Sequence, residues 1–401
     1  MDITINELGQ LTPDSYVLLD MRGDVEVGHG IIPGAIHMSK EEILEKYSGG
    51  LVKADEAEAA EREDSAEKKL IIYCARGRIS QELAEELRDR GYDAYSLKGG
   101  YTSWLLNEMK NQQADEVCAQ VEKSIRKKFR KNIWCKFTKA INQYELVKEG
   151  DCIAVCISGG KDSMLMAKLF QELKLHNKFP FEVKFVVMDP GYSPENRKVI
   201  EENARKLKIP IHIFESDIFE SVYHIEKSPC YLCARMRRGY LYAHARELGC
   251  NKIALGHHFD DVIETILMGI LYGGQINTMM PKLHSTNFQG MELIRPLYYV
   301  KEEDILAWKD YNGLHFLQCA CRFTERIAKE QAARGMAGEA ADIVHTSKRQ
   351  EMKELIRSLR KTSPFIDANI MKSVENINLD ACLGYVKNGV RRHFMDEYDK
   401  R

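Results

Sequence analysis

Six residues, Ser158-Gly159-Gly160-Lys161-Asp162-Ser163, gather in one short stretch what an anion site needs. Glycines let backbone N–H groups come close to an oxyanion. Lys161 carries a full positive charge, and a helix opening there adds the partial charge of its N-terminus. The ligand that fits is a phosphate. The spacing is not Gly-x-x-x-x-Gly-Lys, so an ordinary NTPase loop is not indicated. A second group, Gly256-His257-His258-Phe259-Asp260-Asp261, offers two carboxylates able to hold Mg²⁺ against phosphate oxygens. Either aspartate alone is equally well explained as a helix N-cap, but that leaves the two histidines over.

Eleven cysteines form the next set. Cys230-Tyr231-Leu232-Cys233 suits zinc, a redox dithiol or an iron–sulfur cluster. Cys319-Ala320-Cys321 has a spacing uncommon for a zinc knuckle, and spacing alone leaves zinc and cluster both open. Cys74 stands apart, in Cys74-Ala75-Arg76-Gly77-Arg78-Ile79-Ser80. A thiol among backbone N–H groups beside Arg76 and Arg78 should ionise early, which favours thiolate and tolerates a persulfide. The plain alternative is a strand–helix turn with a chance cysteine. Cys152, Cys156 and Cys250 lie in or beside apolar runs and read as buried thiols.

These residues need elements to position them. Tyr16–Leu19, Lys69–Tyr73 and Asp93–Leu97 predict strands, and Ser80–Arg90 a helix stopped by Gly91. Asp151–Ile157, Val183–Met188, Ile211–Phe214 and Lys252–Leu255 predict further strands. Helices are expected over Ser163–Leu173, Pro194–Leu207, Arg235–Leu248 and Asp260–Tyr272. The fold class is α/β: a small parallel-sheet domain, then a doubly wound domain with its site at the C-terminal strand ends, then a helical tail. The expected divisions are 1–110, a helical basic linker 111–148, a domain 149–325 and an extension 326–401. The acidic stretch 54–67 reads as a surface helix or loop.

The chain has 401 residues, 44% hydrophobic and 29% charged, which is a globular balance over two or three domains. No run is long and apolar enough to cross a bilayer and no secretory signal is visible, so a cytoplasmic location is expected. Net charge is −2, but Lys127, Lys128, Arg130 and Lys131 crowd one segment with Phe129 and Trp134 interleaved. Arg235, Arg237 and Arg238 form a second basic group. Such segments suit a nucleic-acid backbone, or are merely solvated helix faces; the composition favours neither.

The loop Ser158–Ser163 resembles the PP-loop of the ATP pyrophosphatase superfamily, with its adenine nucleotide alpha hydrolase-like fold. That resemblance implies ATP cleaved to AMP and pyrophosphate, adenosine held at Met188, and ATP–Mg²⁺ met by Gly256, His257, Asp260 and Asp261. From about Val121 to Cys321 the chain resembles TtcA-type tRNA 2-thiocytidine synthetases. The matching pieces include Asp189-Pro190-Gly191-Tyr192, Cys230-x-x-Cys233-x-Arg235-x-Arg237-Arg238-Gly239, Leu255-Gly256-His257-His258-x-Asp260-Asp261 and Ile294-Arg295-Pro296-Leu297. This likeness implies a 4Fe–4S cluster on Cys230, Cys233 and Cys319, with Cys321 as the substitute third ligand because Gln318-Cys319-Ala320-Cys321 departs from the family's Pro-Cys-x-x-Cys. It also implies tRNA as substrate and a homodimer.

Asp20-x-Arg22, Gly28–Ile36, the Cys74 loop and Gly99-Gly100-Tyr101-x-x-Trp104 resemble a single rhodanese domain over roughly 1–108. There Cys74 would carry sulfur from a cysteine desulfurase or thiosulfate, with Arg76, Gly77 and Arg78 shaping the persulfide loop. Together the resemblances imply a sulfurtransferase that adenylates a tRNA base carbonyl and replaces its oxygen with sulfur. Lys161, Asp162 and Cys74 would be its catalytic residues. The alternatives are thiolation or desulfuration of a small molecule or free base, and a non-catalytic sulfur-relay or redox-sensing adaptor.

Overall fold

The computed structural model describes residues 1–48, 68–176, 179–216, 229–317, 348–396 and 398, with the side chains of 229–234 left out. The acidic stretch 54–67, Cys319 and Cys321 therefore lie outside the described residues. The chain divides into two compact units, Met1–Asp115 and Glu116–Arg401.

The first unit is built on a parallel sheet of five strands: β1 (Asp2–Ile3), β2 (Tyr16–Asp20), β3 (Ile36–His37), β4 (Lys69–Tyr73) and β5 (Ala94–Leu97). Their order is β1-β5-β4-β2-β3. Alternation along β4 sends Leu70 and Ile72 to one core, with Leu83 and Leu87 of the helix Arg78–Asp89. Ile71 and Tyr73 go to the other, with Leu18 and Leu97. The three expected strands are present. β1 and β3, two residues each, carry no apolar run of their own and exist by pairing with β5 and β2.

The second unit holds a six-stranded sheet, β10-β11-β9-β6-β7-β8. Its strands are β6 (Cys152–Ile157), β7 (Glu182–Asp189), β8 (Ile211–Glu215), β9 (Lys252–Ala254), β10 (Lys282–His284) and β11 (Glu292–Ile294). Only β10 runs antiparallel. The chain winds outward from β6 through β7 to β8, then returns to β9 on the far side of β6. That reversal creates a switch point, and ligands of open α/β sheets bind in the crevice there.

Residues 111–148 differ from a simple linker. The helix Gly100–Arg126 runs from the first unit into the second. A π-helical turn at Arg130–Trp134 and the helix Cys135–Gln143 follow. Val121, Ile125, Phe129, Ile133, Phe137 and Ile141 all enter the second unit's core. Lys127, Lys128, Arg130 and Lys131 stay exposed on the other side. Phe129 and half-buried Trp134 therefore serve packing. The tail adds helices Lys348–Thr362 and Ile366–Glu375, and a hairpin of β12 (Gly384–Lys387) and β13 (Val390–His393) that a purely helical extension did not anticipate.

Candidate active site

The phosphate loop sits between β6 and the helix Lys161–His176. Gly159 has φ +83°, and a Cβ there would lie 2.7 Å from Ile200 Cγ1, so the turn tolerates no side chain. Ser163 ties the loop shut. Its Oγ accepts from Ser158 N at 3.2 Å and donates to Gly160 O at 3.0 Å. Gly256, just past β9, would bring a Cβ to 3.2 Å of Ser163 N. The ends of β6 and β9 are thereby pressed together, as the switch point requires.

A cavity of about 590 Å³ opens at those strand ends. Ser158, Asp162, Ser163, Met188, Gly256, His257 and Asp261 line it, as do Arg237, Arg238, Arg295 and Arg349. Ile157, Tyr192, Leu241 and Leu255 add apolar wall. Four guanidiniums against two carboxylates suit a polyanion, and the apolar wall suits a ring system. Burial, then Arg295, pulls the His257 pKa down to about 4, and its buried Nδ1 has no hydrogen-bond partner among the described residues. His257 is therefore a neutral hydrogen-bonding group at pH 7. Burial lowers Arg295 to about 10, which leaves it charged.

Lys161 lies beside this wall, its Nζ 3.2 Å from both Asp162 Oδ2 and Glu302 Oε1. Burial works against its charge, but Asp162 and Glu302 outweigh that and raise its pKa. Burial likewise opposes the Glu302 charge, yet Lys161 and Lys353 bring its pKa down to about 2.

The two aspartates expected to act together are divided. Asp261 lines the cavity, its Oδ2 accepting from His258 N at 3.0 Å and its Oδ1 from Arg349 Nη1 at 3.3 Å, while Asp260 lies outside the lining and accepts from Arg360 Nη2 at 2.6 Å and Glu302 N at 2.7 Å. Asp260 ties together the elements that bear Arg360 and Glu302, and Asp162, whose buried Oδ1 has no hydrogen-bond partner among the described residues and lies 3.9 Å from His258 Nε2, lines the cavity. Asp162 and Asp261 are thus the two carboxylates that line the cavity.

Arg237 and Arg238, expected on a nucleic-acid surface, line the cavity because the helix Pro229–Glu247 packs over β6, β7 and β9; Arg237 is half-buried and Arg238 remains exposed. Arg235 stays exposed. Cys230 and Cys233 fall in the first two turns of that helix. Leu317, two residues before Cys319, donates its N–H to Gly159 O at 3.3 Å.

In the first unit Cys74 follows β4 and is buried. Gly77 N donates to its Sγ at 3.1 Å and Ser80 Oγ at 3.5 Å. Burial opposes ionisation, but the Ser80 hydroxyl and the amides of Ser80, Arg76 and Gly77 prevail and lower the thiol pKa. The guanidiniums of Arg76 and Arg78 are exposed. Hydrogen bonds to sulfur, rather than nearby charge, thus account for the early ionisation. A Cβ on Gly100 would fall 2.1 Å from Cys74 O, so the loop closes onto a bare backbone.

Ser80, Glu302, Arg349 and Lys353 were not singled out as site residues from the sequence. Ser80 had a usable signal, one helical turn beyond Gly77. Arg349 and Lys353 had none, being two of many basic residues in a charged helix.

The PP-loop domain family matches residues 129–328 and the rhodanese-like domain family residues 4–107. A tRNA-cytidine(32) 2-sulfurtransferase of Geotalea uraniireducens is 35% identical over 243 residues, covering 60% of this chain and 88% of that protein. Its counterpart in Syntrophotalea carbinolica is 35% identical over 252 residues, covering 61% and 90%. Among solved structures, the U34-tRNA thiolase NcsA from Methanococcus maripaludis with its 4Fe-4S cluster aligns at a TM-score of 0.45 and 20% identity, over 61% of this chain and 78% of that one.

Proposed function

The chain belongs to the tRNA-cytidine(32) 2-sulfurtransferase family, with a rhodanese-like domain ahead of its PP-loop domain, and from that premise we propose that it thiolates a cytidine of tRNA at the expense of ATP. The observation that carries the reading is the cationic cavity at the switch point, with the phosphate loop in its wall.

ATP places its phosphates against the loop Ser158–Ser163 and its adenosine along Met188 and the apolar wall. Lys161 is held protonated by Asp162 and Glu302. Asp162 and Asp261 take Mg²⁺, and His257 offers a neutral hydrogen bond. The base carbonyl oxygen attacks the α-phosphorus and pyrophosphate departs. A sulfide then adds to the activated carbon, and AMP leaves with the former carbonyl oxygen. Positioning and fixed charge do the chemical work around the developing anion.

Cys230, Cys233 and Cys319, with Cys321 as the substitute, would hold a 4Fe–4S cluster, three thiolates leaving one iron open to sulfide. Two features support that placement. The helix bearing Cys230 and Cys233 sends Arg237, Arg238 and Leu241 to the cavity wall. The strand of chain leading to Cys319 is pinned to the phosphate loop through Leu317. Cys74, ionised early, would carry the incoming sulfur as a persulfide drawn from a cysteine desulfurase or thiosulfate, and an external dithiol, oxidised to its disulfide, would supply the two electrons that release it as sulfide and restore the Cys74 thiolate. Exposed Lys127, Lys128, Arg130, Lys131 and Arg235 would meet tRNA phosphates. A homodimer is part of the same reading.

The test is anaerobic reconstitution with iron and sulfide, incubation with tRNA and ATP, and mass spectrometry of the nucleosides. We expect 2-thiocytidine together with AMP and pyrophosphate. A verified cluster with no thiolated base would sink the assignment. Cys74→Ala should abolish turnover driven by thiosulfate with a dithiol reductant and spare turnover with free sulfide; if both survive unchanged, the relay is wrong.

A further inference from the structure

The tail helix Lys348–Thr362 lies beyond the residues matched by the PP-loop domain family, yet it is built into the second unit. Met352 and Ile356 are buried, at 4% and 3% exposure. Arg360 donates to Asp260 Oδ1 at 2.6 Å and to Asp367 Oδ1 at 2.8 Å. Lys353 Nζ lies 3.2 Å from Glu302 Oε2 and 3.9 Å from Glu264 Oε1. Asp260 and Glu264 belong to the helix that opens at the end of β9, so the tail helix is anchored to the same element that carries Asp261 to the cavity.

The first turn of this helix puts Arg349 into the cavity wall with Ser158, Asp162 and Ser163. Its own contacts are long: Nη1 to Asp261 Oδ1 at 3.3 Å and Nε to Glu264 Oε2 at 3.5 Å. Charge-assisted bonds at full strength measure roughly 2.7–2.9 Å, which the Arg360 contacts approach and these do not. The side chain is 41% exposed. Arg349 is therefore positioned by a firmly anchored helix but weakly engaged by its protein partners, next to a loop shaped for phosphate.

We propose that Arg349 binds the β- and γ-phosphates of ATP, so that the C-terminal helix is part of the nucleotide site; this rests on the ATP reading above. The chemistry favours a cation there. When the base oxygen bonds to the α-phosphorus, the bond from that phosphorus to the bridging oxygen breaks and its electron pair leaves with pyrophosphate. Negative charge rises on the leaving group, and a planar guanidinium can take two of its oxygens at once.

The experiment measures binding of pyrophosphate, ATP and AMP to the full chain by calorimetry and by ligand-induced rise in melting temperature. For Arg349→Gln we expect pyrophosphate and ATP affinity to fall about tenfold or more, AMP affinity to hold, and the melting temperature without ligand to stay close to that of the parent. Arg349→Lys keeps the charge but not the fork, and should lose several-fold. Pyrophosphate should also shield Arg349 of the unmutated chain from phenylglyoxal, read by peptide mass spectrometry, which needs no variant to fold. Unchanged pyrophosphate binding in Arg349→Gln, an equal loss for AMP, or no shielding overturns the proposal. If the unmutated chain binds neither ATP nor pyrophosphate, the ATP reading itself has failed.

Discussion

The Cys74 thiol shows how little is needed to make a nucleophile. One hydroxyl and three amides at the turn into the helix Arg78–Asp89 outweigh the cost of burial. Alkylation of Cys74 by iodoacetamide should therefore proceed at a pH below the ordinary thiol range. Ser80→Ala should move that midpoint upward, because a donor to the thiolate is lost; an unmoved midpoint would leave the amides as the whole cause. The linkage sign follows. A folded pKa below the unfolded one stabilises the fold above the unfolded thiol pKa, and that contribution is lost as pH falls through the folded one. In the second unit Gly159→Ala should prevent productive closure of the phosphate loop, since φ +83° and Ile200 both oppose a Cβ. We expect destabilisation of about 1–2 kcal/mol, seen in urea unfolding, and loss of ATP-induced stabilisation.

At the scale of elements, the segment joining the two sheets is a structural member of the second. Lys168 is 2% exposed, and its Nζ donates to Glu122 Oε1 at 2.9 Å, Gln171 Oε1 at 2.8 Å and Leu207 O at 3.1 Å. It ties the helix Gly100–Arg126 to the helix behind the phosphate loop. Lys168→Met should cost about 2–3 kcal/mol in urea unfolding, because Leu207 O loses a buried donor and Glu122 is left with the longer contacts to Arg126 and the Cys118 thiol. A cost below about 0.5 kcal/mol would mean that the helix is held by its apolar face alone.

For the whole molecule the net charge of −2 conceals a basic face on the helical segment between Lys123 and Lys139. Binding of tRNA should weaken steeply with salt, and Lys127→Glu with Lys131→Glu should reduce the slope by about two. A slope unchanged by both would remove that face from the RNA interface. The division at Asp115 supports a second test. A chain beginning at residue 111 should keep ATP binding and sulfide-driven turnover and lose turnover driven by thiosulfate. Retention of both would show that sulfur reaches the site without the first unit.

What the sequence determined by itself was local chemistry: a glycine loop for phosphate, a thiol in a cradle of amides, and strands marked by apolar runs or alternation over four or more residues. Each is decided within a few residues, by backbone freedom, hydrogen-bond donors and side-chain alternation. β1, β3, β10 and β11 escaped that reading because two or three residues carry no periodicity, and they form only by pairing. The division of Asp260 from Asp261, the place of Arg237 and Arg238 on the cavity wall, and the arrival of Arg349 at the cavity were decided by tertiary structure. All three depend on helices packing across a switch point from positions some 70 to 200 residues away in the chain from the phosphate loop. Spacing along one helix reports which residues share a face. It carries no information about which distant element that face will meet.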